Sequence, residues 1–384
     1  MKRTGLMLAA FGLILFAQAA LADWTPTKRL TWNSGDSRLP AIAVDSSGNI
    51  HIVWQDDTPG NSEIYYKKST NGGSTWMTSQ RLTWNSGASG GPAIAVDASG
   101  NLHVVWEDDG AGNEEIYYMK SSDGGTTWSG KSQRLSWTSG LSRSPVIAAD
   151  SSDNIHAVWA DTTPGKWEIY YTKSTDGGST WMTSQRITWN TGLSWFPDIA
   201  VDPSGHIHVV WEYGNAENID IFYKKSTNGG ATWLPGQGLT WNSGASQYPA
   251  LTADSSGKIH VAWQDDTPGR WEINYRKSTD GGSTWMTGKR ITWNTGASLG
   301  PAVSVDSSGN PHLVWEDDAP GNPEIYYRKS TNGGSTWMTS QRLTWNSDYS
   351  LWPEIAVDTS GNVHLAWYDY TPGNAEIYYR RYIQ

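Results

Sequence analysis

The chain has 384 residues with a formal net charge of −10, 41 glycines, 25 tryptophans and no cysteine. The absence of cysteine excludes a disulfide framework, a thiolate metal site, a cysteine nucleophile and a lipoprotein anchor. The acidic balance argues against nucleic acid and anionic membranes as partners, but not against neutral sugars or cations.

The first 22 residues have the pattern of a secretory signal peptide. Lys2 and Arg3 precede an apolar run over 6–16, and Ala20-Leu21-Ala22 forms a small-x-small cleavage site. No second apolar run reaches spanning length, so we expect no membrane insertion. The sequence therefore predicts a secreted or periplasmic protein with one mature domain over 23–384.

From there the chain repeats with a period of 52 residues, and one interval of 53. A His-x-x-Trp motif ends in Trp54, Trp106, Trp159, Trp211, Trp263, Trp315 and Trp367. A second ladder comprises Trp32, Trp84, Trp137, Trp189, Trp241, Trp293 and Trp345. Periods of this length indicate a repeat architecture.

Each period contains four short runs of β-forming residues separated by turns rich in Gly, Asn, Asp and Pro. In the first period these runs are 41–44, 51–54, 63–68 and 80–84. Four antiparallel strands per repeat predict an all-β, seven-bladed β-propeller. The predicted blades are approximately 40–84, 92–137, 145–189, 197–241, 249–293, 301–345 and 353–382, the last completed by 27–33.

The two ends of the repeat complement each other. Residues 28–32 resemble a fourth strand without its first three, and 376–382 resemble a third strand without its fourth. We therefore expect the N-terminal strand to complete the last blade and so hide a sheet edge.

The third and fourth strands are joined by the octapeptide Ser-Thr-Asp-Gly-Gly-Ser-Thr-Trp at 174–181. Five related copies begin at Ser69, Ser121, Ser226, Ser278 and Ser330. This turn resembles the Asp-box of the sialidase-like BNR-repeat propellers, in which it has a structural role. The resemblance implies a structural turn here as well, with glycines supplying positive φ.

Alternate connections of a blade leave from the same face of the ring. The face that carries the Asp-boxes is nearly constant among the repeats. The opposite face, formed by the second-to-third and fourth-to-first connections, differs from blade to blade, and we call it the variable face. Aromatic rings beside carboxylates suit sugar recognition. The predicted ligand-binding residues are Trp167, Trp195, Phe196, Tyr213, Tyr248, Trp271, Asp161, Glu212 and Asp265. The alternative is that these rings only cap neighbouring blades.

Histidines and aspartates also recur once per blade. His51 and its six equivalents lie too far apart to share a metal, so we expect a hydrogen-bonded structural role. Asp56 and its equivalents follow the second-strand tryptophan. They indicate either ordinary turn chemistry or an acidic funnel for a cation such as Ca²⁺. No resident cofactor or metal is predicted.

The family resemblance also raises an enzymatic reading. Active sialidases of the family carry Arg-Ile-Pro in the first blade, and Arg38-Leu39-Pro40 stands at that place here. The further arginines and the Tyr–Glu nucleophile pair that the family uses have no motif in this chain. We therefore predict no catalytic residues. Arg38 is a catalytic candidate only if the protein is a sialidase-like hydrolase.

The sequence favours a non-catalytic BNR-type propeller that binds a glycan or cell-surface polysaccharide. The two alternatives are a sialidase-like glycoside hydrolase and a protein-interaction scaffold of the cell surface or periplasm.

Overall fold

The computed structural model describes residues 23–189, 191–215 and 218–384, and the predicted signal peptide (1–22) lies outside them. Every regular element in these ranges is a β-strand. No helix in the described ranges is long and apolar enough to cross a membrane.

The strands group into seven blades of consecutive strands. The leading strands are β1 (Asp23–Trp24) and β2 (Lys28–Arg29). Blade 1 contains β3 (Ser37–Val44), β4 (Ile50–Asp56), β5 (Glu63–Ser69) and β6 (Gln80–Arg81). Blade 2 contains β7 (Ser89–Val96), β8 (Leu102–Asp108), β9 (Glu115–Ser121) and β10 (Gln133–Arg134). Blade 3 contains β11 (Ser142–Ala149), β12 (Ile155–Asp161), β13 (Glu168–Ser174) and β14 (Gln185–Arg186). Blade 4 contains β15 (Leu193–Val201), β16 (Ile207–Asn215), β17 (Asn218–Ser226) and β18 (Gln237–Gly238).

The remaining three blades follow the same order. Blade 5 contains β19 (Ser246–Ala253), β20 (Ile259–Asp265), β21 (Glu272–Ser278) and β22 (Lys289–Arg290). Blade 6 contains β23 (Ser298–Val305), β24 (Pro311–Asp317), β25 (Glu324–Lys329) and β26 (Gln341–Arg342). Blade 7 contains β27 (Ser350–Val357), β28 (Val363–Asp369) and β29 (Glu376–Ile383). Each blade is an antiparallel sheet, so the predicted seven-bladed propeller is confirmed.

The leading strands close the ring by pairing with the last strand. Lys28 pairs with Tyr379 in β29, and further along the same strand Trp24 pairs with Tyr382. The backbone N–H of Leu30 extends the ladder by donating to the carbonyl of Ile377 at 2.7 Å. The predicted closure by the N-terminal strand is therefore confirmed, and it covers the edge that β29 would otherwise expose.

Apolar cores lie between adjacent blades rather than inside single blades. Between blades 1 and 2, for example, Val53 and Tyr66 pack with Val104 and Trp106, all at most 1% exposed. Burial on both faces explains why the second strands are apolar or histidine along most of their length. At about 25 cal/mol per Å² of apolar surface, these shared cores are the main adhesion between blades.

The second strand of each blade carries a buried histidine that forms hydrogen bonds within that blade. In blade 2 the ring Nδ1 of His103 lies 2.8 Å from the Tyr118 hydroxyl, and its Nε2 lies 3.0 Å from Oδ2 of Asp97. Burial lowers the pKa of His103, so the ring is neutral in the folded protein at neutral pH. The predicted structural role is confirmed.

The Asp-box turns are built from their own side chains. Ser174 Oγ donates to Asp176 at 2.7 Å, and Asp176 accepts the backbone N–H of Thr180 at 2.8 Å. Gly177 has a φ of 64°, which fits glycine best. The indole of Trp181 then packs edge-on against Tyr118 of the preceding blade, with ring centroids 4.9 Å apart. The box is a structural turn that also joins two blades.

Candidate functional site

The inner strand of every blade bulges at its proline, where the sequence places the start of the blade. The strands begin three residues earlier, or four in blade 4, because a bulge lets the chain pass through a residue without a backbone N–H. In blade 4 the pairing shifts between Trp195 and Asp198, and Phe196 adopts a φ of 46°. A left-handed conformation costs a residue with a Cβ about 1–2 kcal/mol, so neighbouring contacts must hold it. The equivalent left-handed residues are Leu39, Gly91, Ser144, Tyr248, Gly300 and Trp352.

These left-handed residues line a central channel of about 500 Å³ together with the prolines that follow them. The ring of seven positions is not symmetric, since large aromatic side chains stand at some and glycines at two. Gly300 leaves room beside Trp352, because a Cβ there would lie 3.9 Å from the indole. The shape of the channel opening therefore differs from blade to blade around the ring.

Five aromatic rings form a continuous path from an outer loop to the channel. Trp167 stacks on Trp195 with centroids 5.5 Å apart, and Trp195 stacks on Phe196 at 5.6 Å. Phe196 contacts Tyr248 at 4.8 Å. Tyr248 meets Trp352 edge-on at 5.2 Å. We call these five residues the aromatic run. It brings together four of the predicted residues and adds Trp352, which belongs to blade 7.

Two predicted aromatic residues lie apart from the aromatic run. Tyr213 packs edge-on against Phe222 at 4.7 Å, and its hydroxyl lies 3.2 Å from that of Thr191. Trp271 is half-buried and makes no ring contact with the run among the described residues. It occupies in blade 5 the loop position that Trp167 occupies in blade 3, which makes the two a matched pair.

Glu212 holds the neighbouring blade in place. It is 1% exposed and accepts the backbone N–H of the left-handed Tyr248 at 2.7 Å. Burial raises the pKa of Glu212 to about 8. The same acceptor position is filled in other blades by Gln55, Glu107, Gln264 and Glu316. The side-chain oxygen at this position therefore holds the left-handed residue of the next blade in place at the channel.

The two predicted aspartates are parts of turns. Asp161 is 0% exposed and accepts hydrogen bonds from Ser142 Oγ at 2.9 Å and the Thr163 N–H at 2.7 Å. Asp265, at 3% exposed, accepts from Ser246 Oγ at 2.9 Å. Trp263 donates to Asp265 at 3.3 Å. These contacts match the turn chemistry that the sequence left open as one alternative.

Two acidic residues in the channel were not identified from the sequence. Asp198 in blade 4 and Glu354 in blade 7 follow the channel prolines, at a position where other blades carry Ala or Val. Both oxygens of Asp198 are satisfied, by the N–H of Ile199 at 2.8 Å and of Leu251 at 2.6 Å. A comparison of the seven repeats at the residue after proline would have revealed both.

The channel environment keeps protons on these acids. Burial raises the pKa of Asp198 to about 7. Glu354 is exposed to solvent inside the channel, so water weakens the effect of its surroundings. Enclosure by the channel walls, with a smaller contribution from Asp198, raises the pKa of Glu354. The channel therefore gains negative charge as the pH rises above neutrality.

The residues considered for a sialidase-like site, Arg38 and Tyr368, lie in surroundings that do not suit catalysis. Arg38 is paired with Asp36, two residues earlier in the chain, and lies 3.8 Å from Asp57, so acidic neighbours already balance its guanidinium. Tyr368 is 6% exposed, and burial, Tyr370 and Glu316 all raise its pKa. A buried phenol with a raised pKa is a poor nucleophile at neutral pH.

Within 23–189, 191–215 and 218–384, no group of three or more His, Asp or Glu side chains is arranged to hold a metal ion. The carboxylates considered for a Ca²⁺ funnel each serve the turn of their own blade, as Asp56 does by accepting from Ser37 Oγ at 2.8 Å.

Sequence comparison matches residues 55–254 to the family model described as BNR repeat-like domain. No curated protein matches the chain.

Solved structures with the same fold share little sequence with the chain. An ulvan lyase bound to its saccharide superimposes with a TM-score of 0.63 at 12% identity, over 92% of this chain and 95% of that one. The microbial sialidase Hz136 from the Hadza gives 0.56 at 17% identity, over 74% and 64%. The intramolecular trans-sialidase of Ruminococcus gnavus gives 0.52 at 13% identity, over 92% and 97%. At these identities the likeness concerns the fold.

Proposed function

Because the chain belongs to the BNR repeat-like family, we propose that it is a secreted, non-enzymatic protein that binds carbohydrate through its variable face. The observation that carries this proposal is the aromatic run. The expected ligand is a glycan or a cell-surface polysaccharide, and the predicted signal peptide supports a secreted or periplasmic location.

The aromatic run has the physical properties of a sugar platform. Its rings are half-buried, so each is held by packing while part of its surface stays accessible. Rings ordered in this way lose little conformational freedom when a ligand binds. The C–H faces of pyranose rings stack on such surfaces, and an extended platform suits an oligosaccharide better than a single sugar.

The fold comparisons support the same ligand class. The structures that share this fold are described as an ulvan lyase and as sialidases, which act on carbohydrates. Fold alone does not carry function, so this support is secondary to the aromatic run.

A glycan array with the chain that starts at Asp23 tests the proposal. We expect Trp195→Ala to weaken binding about tenfold or more, because it interrupts the aromatic run at its centre. Trp167→Ala should also weaken binding, and Trp271→Ala, at the equivalent loop position of blade 5 but outside the aromatic run, is its matched control and should retain binding. Binding that is unchanged in Trp195→Ala would remove the aromatic run from the proposal.

The second candidate function is a sialidase-like glycoside hydrolase. It is favoured by Arg38, which stands at the place of the family's Arg-Ile-Pro motif and lies near Tyr368 and Glu316. We expect no turnover of a fluorogenic sialoside. Turnover that disappears in Arg38→Ala would establish the enzyme instead, and a protein-interaction scaffold would show neither turnover nor glycan binding.

A further inference from the structure

A row of exposed tryptophans encircles the outer wall of the propeller. The second tryptophan ladder is 65–76% exposed in all seven blades, whereas the first ladder is buried. Trp84 is 69% exposed, and the guanidinium of Arg81 lies 5.7 Å from its ring centroid. Arg81 is held in turn by the buried Glu63 at 2.6 Å. The indole is therefore positioned by the scaffold while much of its surface faces solvent.

The wall between one blade and the next is usually crossed by a cation. Lys67 donates across it to the carbonyl of Leu30 at 2.6 Å, and Lys224 to that of Ile187 at 2.7 Å. Arginines make the equivalent bond in three further places, from Arg276, Arg328 and Arg380. These side chains form the floor of the groove between the blades and donate a hydrogen bond to an outward-facing carbonyl.

Two of the seven grooves depart from this arrangement. Between blades 2 and 3, Thr172 stands at the position of the cation and donates to the carbonyl of Met182 at 2.7 Å. The groove between blades 1 and 2 lacks the cation as well. Met119 stands at the position of the lysines and arginines, and no described side chain donates to the carbonyl of Leu82. The cavity there measures about 570 Å³, against about 420 and 490 Å³ in two cavities lined by Arg276 and about 340 Å³ beside Arg328. Cavities also occur beside a crossing cation, so what distinguishes this groove is the residues that line it.

A second departure from the repeat occurs in the same groove. The one interval of 53 residues places its extra residue in the segment 128–133, and Ser129 to Ser132 form one wall of the cavity. The replacement by Met119 and the extra residue therefore meet in one groove. A scaffold position has no need of either change, whereas a binding site requires such differences.

We propose that the groove between blades 1 and 2 is a second ligand site, which binds one neutral hexopyranose unit of a polysaccharide. Trp84 provides the stacking surface, Met119 provides an apolar floor, and the free carbonyl of Leu82 accepts a sugar hydroxyl. The site lies on the outer wall, apart from the aromatic run, and does not depend on the function proposed for that run.

The lining of the groove favours a neutral ligand. No Asp or Glu lines it, so it offers no ligands for a cation. Two basic residues line the groove: Arg81 is already paired with Glu63, and Lys131 is exposed in the segment that holds the extra residue. The floor itself carries Met119 where five other grooves have a cation. An apolar floor, an indole face and a carbonyl acceptor match the mixed apolar and hydroxylated surface of a neutral sugar.

Saturation-transfer NMR with methyl glycosides of glucose, galactose, mannose and fucose tests the site. We expect at least one of them to receive saturation from the wild-type protein. Met119→Lys should weaken that signal about tenfold. Its ammonium would bridge to Leu82 as Lys67 does to Leu30, which fills the groove with a side chain the fold already accepts elsewhere. Trp84→Ala should weaken it similarly.

Two control variants make the result specific. Trp293→Ala removes the equivalent indole from the groove beside Arg328 and should leave the signal unchanged, whereas Trp195→Ala shows how much of the signal comes from the aromatic run. The site is refuted by the absence of saturation for all four glycosides, by signals equal in wild type and Met119→Lys, or by saturation of methyl glucuronide alone. Retention of the signal in Met119→Lys together with its loss in Trp195→Ala would assign it to the aromatic run.

Discussion

Trp24 packs edge-on against Tyr327, with ring centroids 5.0 Å apart and ring planes at 82°. This is the contact that each Asp-box tryptophan makes with a tyrosine of the preceding blade, as Trp181 does with Tyr118. Blade 7 has no Asp-box, so the leading segment supplies both its missing outer strand and its missing tryptophan.

Replacing Trp24 should therefore destabilise the whole ring. We expect Trp24→Ala to lower the free energy of unfolding by about 3 kcal/mol, the usual cost of removing a packed tryptophan. Trp32→Ala, in the same leading segment but 67% exposed, should change it by less than about 0.5 kcal/mol. Urea unfolding followed by fluorescence measures both. Equal changes in the free energy of unfolding would mean that the packing of Trp24 against Tyr327 does not stabilise the ring.

The glutamates behind the channel mouth should make stability depend on pH. Burial raises the pKa of Glu212 to about 8 and of Glu316 to about 7, so each holds its proton in the folded protein after the unfolded chain has lost it. Their contribution to stability is complete below about pH 4.3 and declines as the pH rises through the folded pKa values.

The equivalent positions Gln55 and Gln264 show that an amide accepts the same backbone bond. Glu212→Gln should therefore gain stability over wild type at pH 8.5 but not at pH 4. The reciprocal Gln264→Glu should lose stability at pH 8.5. Urea midpoints at the two pH values decide this, and a pH-independent difference would contradict it.

The buried histidines should make stability depend on pH in the opposite direction. Burial lowers the pKa of His51 to about 4 and lowers that of His103 as well, below the value of about 6.5 in an unfolded chain. Their contribution to stability is present above pH 6.5 and is lost as the pH falls towards 4. The double variant His51→Gln/His103→Gln should thus lose less stability than wild type between pH 7 and pH 5. If the double variant shows the same pH dependence of stability as wild type, the second-strand histidines do not carry the effect.

The channel acid Glu354 should be replaceable without loss of stability. Four blades carry alanine at this position, and the confined carboxyl has a pKa raised to about 8. Glu354→Ala is expected to raise the urea midpoint at pH 9 and to leave it nearly unchanged at pH 5. Asp198→Ala should lower it at both, because it strips acceptors from the N–H groups of Ile199 and Leu251. A decrease in Glu354→Ala would show that Glu354 has a partner that stabilises the fold.

Most of the architecture follows from the sequence because it repeats. The 52-residue period, the turn residues and the incomplete ends determine the number of blades, the strand order and the closure. What periodicity cannot give is the direction of side chains within a blade. It treats both tryptophan ladders alike, whereas the structure buries Trp106 and exposes Trp84.

The candidate site was predictable only in part for the same reason. Loop differences pointed to Trp195 and Phe196, and the structure stacks them. The carboxylates of Asp161 and Asp265 were assigned to the same surface, but their hydrogen bonds lie within the blade turns. Asp198 and Glu354 went unnoticed because they occur within strands, and only the bulge at the preceding proline turns them into the channel.

The strand that seals blade 7 has nearly the same sequence as the outer strands of the other blades. Arg29-Leu30-Thr31-Trp32 at the end of β2 recurs as Arg81-Leu82-Thr83-Trp84 at the end of β6. The open edge of β29 would therefore accept the leading segment of a neighbouring molecule as readily as its own. Closure within one chain wins at low concentration because the segment is tethered nearby. At high concentration we expect head-to-tail exchange into oligomers, which size-exclusion chromatography would detect and an added 23–33 peptide would suppress.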